Sequence, residues 1–433
     1  MASKCIFPTI SEDIPLNTPV RYYPRVDDEF LKVTKTKLSL TRYPEEQDGV
    51  AEDDWSQGAK VKEVRRLARF WQDKHDWKAQ EDRIQQMSEH FLVRLDVPGY
   101  GILDLHFLHQ RSKSSNAIPL LFCHGWPGSF LEARHVLTPL TTPSPQHQDL
   151  AFHVIVPSIP GFGFSPAPRR PGLGPTILAR AYKQLMTSVL GYTSGFATQG
   201  GDFGAFVSRS IALQYPDLVL AQHLNMFPVP APTLLRAPKA YLRWCLSCFL
   251  YSDFEKSSLE VRTNFEHDQS GYLDAQKTRP QTLGFALGDS PVGLLAWFVE
   301  KFHDWVDVKG NRALEDAEII DLVMMHWIQG ATPGLRFYRE AFWGGRRDAE
   351  ETFERWVGVP TGVSMYAREQ LHCPRDWAAQ VANIVFWREH GAGGHFSSLE
   401  RPEQFVEDMR AFFECPAVQK SVDSHLGCAT AKM

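Results

Sequence analysis

The sequence predicts an α/β protein: a mostly parallel, doubly wound sheet whose core is split by a helical insertion. Three observations predict it. Short apolar runs of strand length recur at Ile118 to Cys123, Gly195 to Gln199, Thr361 to Tyr366 and Ile384 to Trp387. Two of them run straight into glycine-rich turns, at His124 to Gly128 and at Gly200 to Gly204. Between the second and third runs lies a long stretch of helical patterning, and insertions at the carboxyl edge of such a sheet land above its ligand site.

Taken in order, Val61 to Trp71 and Trp77 to Met87 read as amphipathic helices, with Val61, Val64, Leu67 and Ala68 on one face. Phe91 to Asp96 and Leu103 to His109 read as strands. Ile118 to Cys123 is a buried strand, and the turn after it aims backbone N–H groups inward. Gly195 to Gln199 is a second strand, followed by helical spacing over Ala205 to Tyr215. In the insertion, Ala317 to Gln329 reads as a helix, and Pro333 opens another that carries Tyr338. Thr361 to Tyr366 and Ile384 to Trp387 complete the sheet, and the chain beyond Val418 reads as a loose polar tail. The expected organisation is an N-terminal region over 1–110, core over 111–225, helical insertion over 226–342, core again over 343–415, and a tail over 416–433.

The chemistry centres on Gly200-Gly201-Asp202-Phe203-Gly204, which has the small-x-nucleophile-x-small form of a strained strand-to-helix elbow. An aspartate stands where a serine is usual. A carboxylate is anionic at neutral pH and attacks an electrophilic carbon without a base, leaving an ester on the enzyme. The competing role for Asp202 is as N-cap of the following helix. Upstream, the N–H of Trp126 joins that of Phe203 as a candidate oxyanion hole, while His124 reads as a brace for its turn. Downstream, Glu369 follows a strand end and His395 stands in Gly393-Gly394-His395-Phe396, giving the order nucleophile, acid, histidine. Asp376 is the rival acid, but it sits after Pro374 at a helix start, where Asp is a dipole partner.

These motifs resemble the microsomal-type epoxide hydrolases of the α/β-hydrolase superfamily. The likeness rests on the elbow, on His124 to Ser129, on Ser158 to Gly163 and on Gly-Gly-His-Phe. It extends through Ser270-Gly271-Tyr272, Arg279 to Leu283, Asp289 to Leu294, Glu300 to Phe302 and Arg336-Phe337-Tyr338, and spans about Tyr43 to Phe413. The resemblance implies that the insertion is a lid, that the N-terminal region wraps core and lid, and that Tyr272 and Tyr338 reach the epoxide oxygen. Phe203 stands where the family commonly has Trp; the backbone N–H survives that change. The implied reaction forms an alkyl ester on Asp202, which water activated by His395 hydrolyses to a diol, with Glu369 orienting the histidine. Neither cofactor nor metal is implied, and the partners are an epoxide and water. Trp297, Phe298 and Trp327 are expected to line an apolar pocket for lipophilic epoxides.

The chain has 433 residues, 46 basic and 51 acidic, for a net charge of -5, so no basic surplus points to nucleic acid. No apolar run approaches the ~18 residues of a membrane span. The lack of an N-terminal anchor and seven cysteines without a signal peptide lead to the expectation of a soluble, reduced, cytoplasmic protein, as monomer or homodimer. Ala431-Lys432-Met433 loosely fits a peroxisomal address. Cys245 and Cys248 form a C-x-x-C pair, but no second ligand pair is near, and packing of the run Leu242 to Tyr251 is the expected account. A serine esterase is excluded because the nearest serine motif, Gly163-Phe164-Ser165-Pro166, carries a proline in the elbow helix. A haloalkane or haloacid dehalogenase, an epoxide-opening cyclase and a silent binding relative stay as alternatives. The two tyrosines count against the first, and the filled motif positions against the last.

Overall fold

The computed structural model describes residues 10, 13–307, 314–343 and 348–427. Among them, nine strands form one sheet: β1 (Val20–Arg21), β2 (His90–Val97), β3 (Gly101–Gln110), β4 (Ile118–Cys123), β5 (Phe152–Pro157), β6 (Phe196–Gly200), β7 (Val219–Leu224), β8 (Val357–Arg368) and β9 (Ala382–Gly394). Their spatial order is β1-β2-β3-β5-β4-β6-β7-β8-β9. From β5 to β9 all pairings are parallel, while β1, β2 and β3 extend the β5 edge antiparallel. The chain steps from β4 to β5 on one side and then crosses to β6 on the other. A ligand crevice belongs at this switch, outside the carboxyl ends of the strands. Both glycine-rich turns emerge there.

Every residue of β4, β6 and β7 is buried, which accounts for continuous apolar runs in place of alternation. Helix Phe203–Gln214 packs directly on this layer. It does so because Gly204 has no side chain: a Cβ there would overlap the carbonyl oxygen of Cys123 at the end of β4.

The segment between β7 and β8 is helical and covers the carboxyl edge of the sheet. Its principal helices are Pro238–Cys245, Asp253–Asn264, Gly271–Thr278, Pro280–Asp289, Pro291–Trp305, Asp316–Trp327 and Thr332–Phe342. The N-terminal helices Asp28–Ser39 and Val61–Asp73 clasp this lid. Thr34 accepts from Trp327 Nε1 at 2.8 Å, Arg66 pairs with Asp316 at 2.6 Å, and buried His75 meets Asp321 at 3.0 Å. Among the described residues no single helix is long and apolar enough to cross a membrane.

Two sequence expectations need correction. The tail is helical over Pro416–Val422 and continues as a turn over Asp423–Gly427; Val418 is fully buried, and Ser421 Oγ donates to the Leu220 carbonyl at 2.7 Å, seating the segment beside β7. The tripeptide Ala431-Lys432-Met433 lies outside the described residues. The run Leu242 to Tyr251 does not pack as a core element. It forms surface helices Pro238–Cys245 and Ser247–Leu250 with Phe249 84% exposed and Leu242, Leu246, Cys245 and Cys248 also exposed. It is anchored through buried Tyr251, whose hydroxyl accepts from Trp377 Nε1 at 3.0 Å, and through Arg243 and Trp244, which meet Asp376 and Trp377.

Candidate active site

Asp202 occupies φ 46°, ψ −128°, a region that non-glycine residues rarely adopt. Its side chain does not cap helix Phe203–Gln214. It turns toward the glycine-rich turn after β4 instead, where Oδ1 accepts from the Trp126 N–H at 2.7 Å; the Phe203 N–H also faces the carboxylate. Gly125 leaves the room for this approach, since a Cβ there would overlap the Asp202 carboxylate. Burial raises the Asp202 pKa, opposed by His395 and the two backbone donors. The Asp202 side chain keeps 18% of its surface accessible, whereas that of Glu369 keeps 1%, so Asp202 is the carboxylate within reach of a ligand.

His395 Nδ1 lies 2.9 Å from Glu369 Oε2, and its Nε2 lies 3.6 Å from Asp202 Oδ2. Glu369 sits at the end of β8 and His395 at the end of β9, so parallel pairing of the two strands brings acid and histidine together. Burial by itself would lower the His395 pKa. Glu369, then Asp202 and Glu132, outweigh it and push the ring up to about 9. Asp376 is not at this centre; it pairs with Arg243 at 3.0 Å on the surface side. His124 braces the turn: its Nε2 accepts from the Ile159 N–H at 3.0 Å, leaving Nδ1–H to donate to the Gly125 carbonyl.

The histidine loop hangs on the lid. The His395 N–H donates to the Trp305 carbonyl at 3.0 Å and the Gly393 N–H to Asp307 Oδ2 at 2.8 Å. Buried Glu400 accepts from the Phe396 N–H at 2.9 Å and from the Asp307 N–H at 2.8 Å. Sequence reading missed Trp305, Asp307, Glu400 and Glu132. The last two are carboxyls raised chiefly by burial, to about 7 for Glu400 and about 8 for Glu132. Glu132 lies beneath the turn after β4, and Gly128 has no Cβ to collide with it. A lone carboxylate in the apolar run Phe130-Leu131-Glu132-Ala133 was the available signal.

From above, Tyr272 and Tyr338 enter from separate lid helices, and their rings meet edge-on with centroids 6.0 Å apart. Burial, then neighbouring charge from Asp202 and others, holds both phenols well above their ordinary pKa, so they stay protonated donors. Trp126 stacks on Tyr272 at 5.3 Å and meets Tyr338 edge-on at 5.5 Å; Trp305 lies 5.0 Å from the His395 ring. Of the three expected lining residues, only Phe298 joins this wall, edge-on to Trp126 at 5.3 Å. Trp297 donates to Gln276 at 2.9 Å and ties lid helices together. Trp327 faces Thr34 and Phe30 of the N-terminal helix, away from the site. Its apolar bulk seals a joint, which periodicity cannot distinguish from lining a chamber. No group of three or more His, Cys, Asp or Glu suited to a metal occurs among the described residues, the Cys245–Cys248 pair included.

Residues 19–133 match the family described as epoxide hydrolase N terminus, and residues 118–258 match the alpha/beta hydrolase fold. "Epoxide hydrolase 1" of Sus scrofa is 33% identical over 382 residues, 81% of this chain and 79% of its own. The chain belongs to the epoxide hydrolase family. A protein of Stigmatella aurantiaca (strain DW4/3-1), provisionally named an epoxide hydrolase, is 37% identical over 392 residues, 88% of this chain and 81% of its own. Among solved structures, the Aspergillus niger epoxide hydrolase superposes with a TM-score of 0.78 at 30% identity, covering 92% of this chain and 96% of that one. An epoxide hydrolase on the α/β-hydrolase fold therefore accounts for the mostly parallel sheet, the elbow and the helical lid together.

Proposed function

We propose that this epoxide hydrolase opens lipophilic epoxides in two steps, with Asp202 as the nucleophile. The observation that carries the reading is the Asp202 carboxylate held between the Trp126 N–H, the His395 ring and the paired lid phenols. Oδ1 rests on backbone donors, so Oδ2 is the oxygen that attacks. As the C–O bond of the epoxide breaks, Tyr272 or Tyr338 donates a proton to the departing oxygen, which stays attached to the substrate as a hydroxyl. Two donors from separate helices also fix that oxygen, bringing carbon to the ~3–3.5 Å approach of a reactive conformer.

Alkylation then changes the electrostatics. An ester at position 202 carries no charge, so one of the carboxylates that raise His395 is lost and the ring falls from about 9 toward neutrality. The ring gives its proton up to the tyrosinate left by the first step, restoring the phenol, and so becomes a competent base only after the ester has formed. It takes a proton from water, which attacks Cγ of Asp202; the tetrahedral oxyanion develops on Oδ1, where the Trp126 and Phe203 N–H groups already point. Collapse releases the diol and restores the carboxylate, with Glu369 stabilising the imidazolium. Trp126, Phe298 and Trp305 make the surroundings apolar, in keeping with a lipophilic substrate.

The test is to trap the ester. His395→Gln mixed with styrene oxide should accumulate a covalent adduct on Asp202, read by intact-mass spectrometry and peptide mapping. Absence of an adduct while binding is retained overturns the covalent scheme. Cytoplasmic placement is part of the same reading, and a fluorescent fusion with and without Ala431-Lys432-Met433 tests for a peroxisomal address.

A further inference from the structure

A cleft of about 490 Å³ opens between core and lid, away from the Asp202 carboxylate. The core contributes Arg169 and Arg170; the lid contributes Arg279, Arg336 and Arg339, against a single carboxylate, Glu340. None of the five arginines has an ion-pair partner among the described residues. Arg339 donates to the Thr278 carbonyl at 3.0 Å and Arg336 donates to Gln281 Oε1, both neutral acceptors. Several guanidiniums elsewhere are matched to acids, Arg66 with Asp316, Arg94 with Asp104 and Arg134 with Asp321, and those that rest on neutral acceptors, such as Arg209 and Arg410, stand singly and not around a shared cleft. In a protein of net charge -5, five cations face a single carboxylate around one concavity, an excess of positive charge that favours an anion.

The backbone adds to this. Gln281 and Thr282, in the first turn of the ten-residue helix Pro280–Asp289, also line the cleft, and N–H groups of a first helical turn favour an anion. We propose that this cleft is a binding site for an oxyanion, a carboxylate, sulfate or phosphate group, gripped by arginines from core and lid at once. The planar fork of Arg suits such groups, and the volume is that of a small-ligand site.

Its position ties it to turnover. Phe337 lines the cleft and packs edge-on against Phe203, the residue after the nucleophile, at 4.6 Å. Tyr338 follows on the same helix, while Thr278 and Arg279 end the helix of Tyr272. An anion bound there bridges both tyrosine-bearing helices to the core loop. It is either the charged end of an amphiphilic epoxide or a separate ion that steadies the lid.

The test compares the wild type with Arg279→Gln/Arg336→Gln, two exposed residues outside the catalytic set, and with Arg169→Gln/Arg170→Gln as an independent pair. Melting is followed in sodium sulfate and in sodium decanoate against sodium chloride at equal ionic strength. The wild type should show a saturable rise in Tm with each anion, and either double variant should shift the midpoint at least tenfold. Because sulfate also stabilises proteins in general, an equal rise in wild type and variants, or none in any, overturns the site. Two kinetic arms then identify the source. A kcat/KM for 9,10-epoxystearate at least tenfold above that for its methyl ester, lost in the variants, makes the anion the substrate's own. Equal values, with sulfate altering styrene oxide turnover in the wild type alone, make it a separate ion. The melting readout needs no turnover, so failure of the anion site and failure of the epoxide mechanism are distinguishable.

Discussion

Tyr272 and Tyr338 meet over one point, and each is kept protonated by burial beside the Asp202 charge. Replacing either by Phe removes one donor to the departing oxygen without emptying the wall built around Trp126. Single-turnover alkylation should slow at least about tenfold in each variant, toward the ~10²–10³ lost with an oxyanion-hole donor. Unchanged alkylation in both variants would remove the tyrosines from the first step. At this scale the sequence was informative where chemistry constrains residue type and spacing. Asp202, Glu369 and His395 are brought together as their order along the chain suggested. Glu400 was not foreseen, because a carboxylate buried under a turn resembles any surface acid until the turn is folded over it, and Glu132 left only the signal of one acid within an apolar run.

The elbow works because strand and helix touch. Gly204→Ala would press a methyl group into the Cys123 carbonyl and force the helix off β4. Overpacking of this kind costs about 1–3 kcal/mol, and here it also shifts the Phe203 N–H. A lower Tm and a loss of ester hydrolysis exceeding the loss of stability are expected, measured by calorimetry and by decay of the alkyl-enzyme. A variant with unaltered melting and turnover would show that the contact is slack. The buried strands were legible as apolar runs, although β8 and β9 extend beyond those runs into partly exposed residues. Helix Pro238–Cys245 was misread because apolar content predicts burial in one direction only, and folded surfaces retain many apolar side chains. Trp327 fails for a related reason: its partner, Thr34, lies nearly 300 residues earlier in the chain, at a distance of 293 positions.

Stability of the whole molecule should depend on pH through its interior histidines. Burial drives His124 down to about 3 and His90, His223 and His326 to about 4, with His106 also well below its ordinary value of 6.5. An unfolded chain protonates these rings near pH 6.5, while the folded chain resists until about pH 4. The unfolded state therefore holds more protons over that interval, and stability falls as pH drops through it. His395 acts in the opposite sense: its contribution is complete below pH 6.5 and fades as pH rises through about 9. Glu132 and Glu400, held up by burial at about 8 and about 7, oppose the buried neutral histidines over the same interval, so melting temperature should fall below pH 6.5 only because the five rings outweigh the two carboxyls; a flat profile from pH 6.5 to 4.5 in a Glu132→Gln/Glu400→Gln variant contradicts the buried neutral rings. The division into sheet and helical cover was readable from pattern, but the clasp of the N-terminal helices on the lid depends on pairings such as Arg66 with Asp316 that only the folded chain brings together. The tether from the His395 amide to the Trp305 carbonyl works like an interlock. Because the backbone of His395 hangs from the end of helix Pro291–Trp305, any change that displaces that helix end is expected to displace the ring as well, and the two should order or loosen as one unit.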